Sequence, residues 1–170
     1  MSSMKYSFIA FLLLLCVAGY SQDKIQWMTW NEAVAANEKA PKKIFVDVYT
    51  DWCGWCKKMD QTTFKDSAVI AMMSENFYAV KMNAEQKDSI VWKGIVWKWT
   101  PGGRSGYNSL ALELLDRQMS FPSFVLLASD DVRIAISPGY KEPAALMKEL
   151  IFAYQELYKT MTWDEYKSKS

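Results

Sequence analysis

"FVDVYTDWCGWCKKMD", residues 45–60, changes character three times in sixteen positions. A β-branched and aromatic run holds one acid, Asp47, and reads as a buried strand. A turn with two tryptophans and two cysteines follows, and "CKKMD" continues as helix. Cys53 and Cys56 are three positions apart where a strand hands over to a helix. Such a pair can hold a metal, close a structural disulfide, or exchange electrons with other thiols.

The rest of the chain narrows these choices. Tetrahedral zinc needs four ligands, and this chain has no second cysteine pair and no histidine at all. Cu(I) needs only two soft ligands, so copper carriage survives beside ten methionines, although most of these sit among apolar residues and read as gap-fillers. A purely structural disulfide at this spacing closes a tiny loop and restricts the unfolded chain little. Redox exchange explains more. The nucleophile is a thiolate, and a helix N-terminus favours negative charge through its free amides and dipole. Cys53 is then expected to meet solvent as the attacking thiol, with Cys56 one turn deeper as the resolving thiol.

Length and composition exclude other classes. The 170 residues suffice for one domain with a core, half of them hydrophobic. The net charge of +1, with acids and bases interspersed, provides no basic face for nucleic acid. Without histidine, Ser-His-Asp and Cys-His hydrolysis are excluded. Residues 1–21 place Lys5 before an apolar run from Phe8 to Ala18, with Gly19 and Ser21 before Gln22. That is the layout of a signal peptide, too short to span a bilayer comfortably, although left uncleaved it would be an anchor. Cleavage would remove Cys16 and leave Cys53 and Cys56 alone outside the cytosol, in the periplasm of a bacterium or secreted, where disulfides persist. No membrane span is expected after cleavage.

Residues 22–170 then read as one domain. Thr29 and Glu32 form a capping box before a helix that ends by Pro41. Helix is expected again from Asp66 or Ser67, and strand in "FYAVKMNAE" (77–85). Residues 85–119 are less regular. A hairpin turns at Lys93-Gly94, a loop holds Gly102-Gly103 without the Lys-Ser/Thr of a phosphate site, and "SLALELLDRQ" (109–118) has leucines at helical spacing. Trp92, Trp97 and Trp99 shield a core face or form a peptide-binding lid. Two strands meet around Asp130-Asp131, a long helix has Pro143 in its first turn, and Thr162 with Glu165 repeats the capping box. Alternating helices and strands imply an α/β sheet covered by helices.

The residues around the cysteines resemble the active-site segment of the thioredoxin-like family, with strand, buried acid, aromatic and Trp-Cys-Gly-x-Cys-Lys in order. The resemblance implies a thioredoxin fold with a central mixed sheet and an insertion at about 85–119 before the cis-proline loop. It implies that Asp47 handles the proton of the second cysteine and that Lys81 partners the acid. Pro122 matches the cis-proline that lies against the active site, and Gly139 the glycine at the base of the substrate groove. Trp52, Gly54, Trp55 and Phe121 would complete the surface offered to clients. Trp55 stands where thioredoxin has proline and disulfide isomerases have histidine, and Phe121 and Ser123 flank the proline in place of aliphatic and threonine neighbours.

The implied activity is that of an exported thiol-disulfide oxidoreductase acting on cysteine-containing client proteins. It would reduce or isomerise rather than oxidise, with an upstream thiol-disulfide protein to recharge it. No metal and no cofactor beyond the Cys53–Cys56 disulfide is expected. The alternative is a thioredoxin-fold binding module or a Cu(I) metallochaperone.

Overall fold

The computed structural model describes residues 24–103 and 105–169. The expected signal segment at 1–21, with Cys16, lies outside the described residues. In chain order the elements are β1 (Trp27–Met28), α1 (Trp30–Lys39), β2 (Lys43–Tyr49), α2 (Gly54–Gln61), α3 (Ser67–Asn76), β3 (Phe77–Asn83), β4 (Ile90–Trp92), β5 (Ile95–Trp97), β6 (Trp99–Thr100), β7 (Tyr107–Asn108), α4 (Ser109–Leu114), β8 (Ser123–Leu127), β9 (Arg133–Pro138), α5 (Pro143–Tyr154) and α6 (Trp163–Lys169).

Five strands form one mixed sheet in the order β1-β3-β2-β8-β9. β1, β3 and β2 run parallel, whereas β2–β8 and β8–β9 are antiparallel. Strand alternation then divides the core. Ile44, Val46 and Val48 of β2 pack on one face with Trp30 and Ala33 of α1 and Leu110, Ala111 and Leu114 of α4. Phe45 faces the other way, among Met59 of α2, Val69, Ile70 and Met73 of α3 and Leu146 and Leu150 of α5. Position 47 alternates with 46 and 48, so the acid falls on the side of α2, the helix that carries Cys56. The register sets Asp47 opposite Lys81 of β3 and opposite Phe124 of β8.

Both capping boxes form. Thr29 Oγ1 accepts from the Glu32 amide while Glu32 accepts from the Thr29 amide, and Thr162 with Glu165 does the same. Asp66, not Ser67, caps α3, accepting from the Ala68 and Val69 amides at 3.0 and 3.1 Å.

The segment 85–119 folds into two small hairpins and α4, and α4 helps close the α1 face of the sheet. Leu110 and Leu114 are buried there, each contributing about 1.5–3 kcal/mol. Asn108 anchors the segment. Its side chain accepts from the Leu110 amide at 3.0 Å and donates to the Asp88 carbonyl at 3.1 Å. The helix expected over 109–118 stops at Leu114, because Asp116 and Arg117 both turn to positive φ. The Arg117 amide returns to the Leu112 carbonyl at 2.9 Å, which ends the helix in a Schellman-type reversal. The hairpin does turn at Lys93-Gly94, both with positive φ, as a two-residue primed turn requires. Trp92 and Trp97 pack against the core, which favours shielding over a lid.

Candidate functional site

Local geometry begins at Thr50, the last residue before the turn. The Cys53 amide donates to the Thr50 carbonyl at 3.1 Å, which delivers Cys53 to the N-cap of α2. Its Sγ takes the capping position, accepting from the Cys56 amide at 3.1 Å. Cys53 and Cys56 are joined in a disulfide with Cα atoms 5.3 Å apart. Gly54 opens the helix with nothing within 4 Å of where a Cβ would stand, so the position after Cys53 faces open space.

The expectation that Cys53 meets solvent while Cys56 lies deeper requires correction for this oxidised form. The two are almost equally buried, at 4% and 3% exposed. The exposure passes instead to the flanking rings, because Trp52 and Trp55 are each 61% exposed. Trp52 meets Phe121 edge-on at 5.9 Å and Trp55 leans on Tyr140 at 5.1 Å. Trp52 Nε1 donates to Glu85 Oε1 at 2.8 Å, which fixes the direction of the indole. Two aromatic pairs thus flank the disulfide, and large exposed rings of this kind mark a contact surface.

On the α2 side of the sheet, Asp47 is 1% exposed. Burial pushes its carboxyl up to about 6, against the pull of the Lys81 ammonium and with a further push from the negative charge of Asp60. Lys81 Nζ donates to Asp47 Oδ2 at 2.6 Å and also to Asp60 Oδ1. Partial burial alone would lower the Lys81 pKa, but the two carboxylates outweigh it and raise it. Asp47 is therefore an ion-paired acid and not an isolated one. Its Oδ1 nevertheless remains buried without a hydrogen-bond partner among the described residues.

Pro122 follows a cis peptide bond from Phe121. Its carbonyl accepts from the Gly139 amide at 2.8 Å, so these two positions from different loops meet. Gly139 has φ +90°, a conformation that favours glycine, at the end of β9.

Sequence reading missed Asp60, Glu85 and Tyr140. Asp60 had a findable signal: it lies four residues beyond Cys56 in α2, one turn along the same helix face. Glu85 and Tyr140 had none, since their partners Trp52 and Trp55 are 33 and 85 positions away.

Mixed sheet and helical cover define a thioredoxin fold, with the cysteine pair capping its α2 helix. The family model Thioredox_DsbH, described as a protein of unknown function, DUF255, matches residues 15–96. The uncharacterized protein B0495.5 of Caenorhabditis elegans and spermatogenesis-associated protein 20 of Homo sapiens are each 28% identical over 72 residues, 42% of this chain. These matches take in 10% and 9% of those proteins, so the chain spans a small part of their length. A solved structure of a DsbH oxidoreductase superposes with TM-score 0.57 at 19% identity, covering 84% of this chain and 92% of that one. A thioredoxin from Thermus thermophilus gives 0.55 at 17% identity, with 75% and 85% covered. A thioredoxin-fold protein from Helicobacter pylori gives 0.56 at 17% identity, with 76% and 79% covered.

Proposed function

We propose that this chain is an exported thiol-disulfide oxidoreductase that reduces disulfides of client proteins. The observation that carries the reading is the Cys53–Cys56 disulfide capping α2, with a buried Asp47 oxygen that has no hydrogen-bond partner among the described residues on the α2 side of the sheet.

The chemistry runs as follows. In the reduced protein the Cys53 thiolate, held by the Cys56 amide and the helix N-terminus, attacks a client disulfide. A mixed disulfide forms and one client thiolate leaves. Cys56 then gives its proton to Asp47 Oδ1, and its thiolate attacks the Cys53 sulfur. The Cys53–Cys56 bond closes as the second client thiolate departs and is protonated. Two electrons have passed to the client, and an upstream dithiol protein must return them. A base beneath the resolving thiol speeds this closing step, and the reduction potential of the Cys53–Cys56 couple sets the direction in which electrons flow.

The exposed Trp52 and Trp55 and the Phe121 and Tyr140 rings against them support binding of an extended client segment with apolar residues beside its cysteine. Export is supported by the basic-then-apolar pattern of residues 1–21. Turnover of insulin disulfides with dithiothreitol as recharging dithiol tests the activity. Rates no higher than dithiothreitol alone, or loss of none of the activity in Cys53→Ser, would overturn the reading.

A further inference from the structure

Lys81 does more than pair with Asp47. Its ammonium is surrounded by three rings, with Trp27, Tyr49 and Phe64 centred 4.9, 5.1 and 5.2 Å away. Two of its three N–H donors are taken by carboxylates, Asp47 from β2 and Asp60 from α2. The two acids differ sharply in surroundings: the Asp47 side chain is 2% exposed and that of Asp60 is 43% exposed. Asp60 is also on the helix face of Cys56, so one short helix carries both the resolving thiol and the second anchor of the lysine.

Consider what happens when Asp47 takes a proton. Its charge disappears, and the ammonium loses one of its two counter-charges. A cation left unpaired among aromatic rings, partly out of water, is costly, and that cost would oppose the proton transfer. Asp60 removes the cost, because the ammonium keeps a carboxylate in both protonation states of Asp47. Asp60 also draws the lysine charge away from Asp47, which weakens the hold of the ionised form.

We propose that Asp60 is a positioning residue that divides the charge of Lys81 and so lets Asp47 accept the Cys56 proton near neutral pH. The inference rests on the reading of Asp47 as proton acceptor, but its electrostatic part is measurable without turnover. Other charged and titratable groups surround the cluster. Tyr49 lies over Lys81, with Asp51 beside it held by Asn83. Lys24 and Lys65 share a hollow with Asp60 and Lys81, and Asp88 lines another hollow that Lys81 reaches. All of them stay in place in the variants below and set a common baseline.

The test is a carboxyl carbon NMR titration of Asp47 in the oxidised protein, in wild type, Asp60→Asn, Asp60→Glu and Lys81→Met. Asp60→Asn should lower the Asp47 midpoint by about one pH unit, since the undivided ammonium then favours the ionised form. Lys81→Met should raise it, and Asp60→Glu should return it to the wild-type value. An unchanged midpoint in Asp60→Asn, or an Asp60→Glu that behaves like Asp60→Asn, would overturn the proposal. A shift of the same sign in Asp60→Asn and Lys81→Met would also overturn it, because general loosening of the cluster admits water in both. In insulin reduction, the acid limb of the pH–rate profile should move down with the Asp47 midpoint in Asp60→Asn. A profile that stays fixed while the midpoint moves refutes the catalytic part. An inactive wild type with the expected midpoints instead refutes the oxidoreductase reading and leaves the charge division standing.

Discussion

Lys81 binds one oxygen of Asp47 and leaves the other bare. Nζ donates to Oδ2 at 2.6 Å, whereas Oδ1 is buried without a hydrogen-bond partner among the described residues. Parallel pairing of β2 with β3 puts the two residues side by side on the face toward α2, so the sheet register itself aims the free oxygen's carboxyl at the helix of the cysteines. Desolvation wins over the ion pair there, which makes the carboxyl a better base than a solvated one.

That balance predicts a pH-dependent stability. A carboxyl raised from 3.8 to about 6 on folding binds its proton more tightly in the native state than in the unfolded chain. The native state therefore loses stability as pH rises through that window, by about 1–3 kcal/mol, and the loss is complete above it. Asp47→Asn carries no such penalty. Thermal melts should show the variant gaining on wild type from pH 4 to pH 7 and staying level with that gain above it. Turnover at neutral pH should fall about 100-fold or more from loss of the base. A stability difference independent of pH would contradict the assigned shift.

The order of attack predicts an asymmetry between the cysteines. Cys56→Ser leaves the N-capping thiol able to attack and nothing to resolve the product, so mixed disulfides with clients should accumulate. Cys53→Ser removes the attacking thiol and should accumulate none. Non-reducing gels after alkylation of the two variants in the native cell extract decide this, and equal trapping would defeat the assignment. Both sulfurs are buried in the disulfide, so the asymmetry comes from the helix terminus and not from exposure.

Much of this site was legible in "FVDVYTDWCGWCKKMD", because strand, turn and helix are local and each has its own composition. The pairing of Asp47 with Lys81 followed from family resemblance, since no spacing in one chain reveals strand register. What stayed hidden depends on distant loops folding back. Glu85 reaches Trp52 from just beyond β3, and Tyr140 reaches Trp55 from the far side of β9. β1 was missed because two residues carry no period, and the early end of α4 because Asp116 and Arg117 adopt positive φ without glycine. The hairpin at Lys93-Gly94 was found even with an unusual first residue, since alternating apolar runs on both sides outweigh a weak turn signal.

The aromatic rim predicts a separation of binding from folding. Trp52 and Trp55 stand mostly in solvent, so Trp52→Ala with Trp55→Ala should change the melting free energy by under about 1 kcal/mol. Client affinity should fall much more, with KM for a protein disulfide rising about tenfold while reaction with a small disulfide such as oxidised glutathione hardly changes. Equal losses on both substrates would mean that the tryptophans tune the cysteines and do not hold the client.

The insertion depends on one glycine. Gly106 has φ +71°, and a Cβ there would meet the Trp99 ring at 2.3–2.7 Å. No rotation at position 106 relieves such a contact, since a Cβ is fixed by the backbone, and Trp99 is held in the β6–β7 pair by Asn108. Gly106→Ala should therefore cost about 2–4 kcal/mol from left-handed strain and overpacking together. Gly103, also at positive φ but with nothing within 4 Å, pays only the strain, about 1 kcal/mol on substitution by alanine. Denaturant melts of the two variants separate the effects. If Gly106→Ala and Gly103→Ala lose the same stability, the Trp99 contact is not what requires glycine at 106.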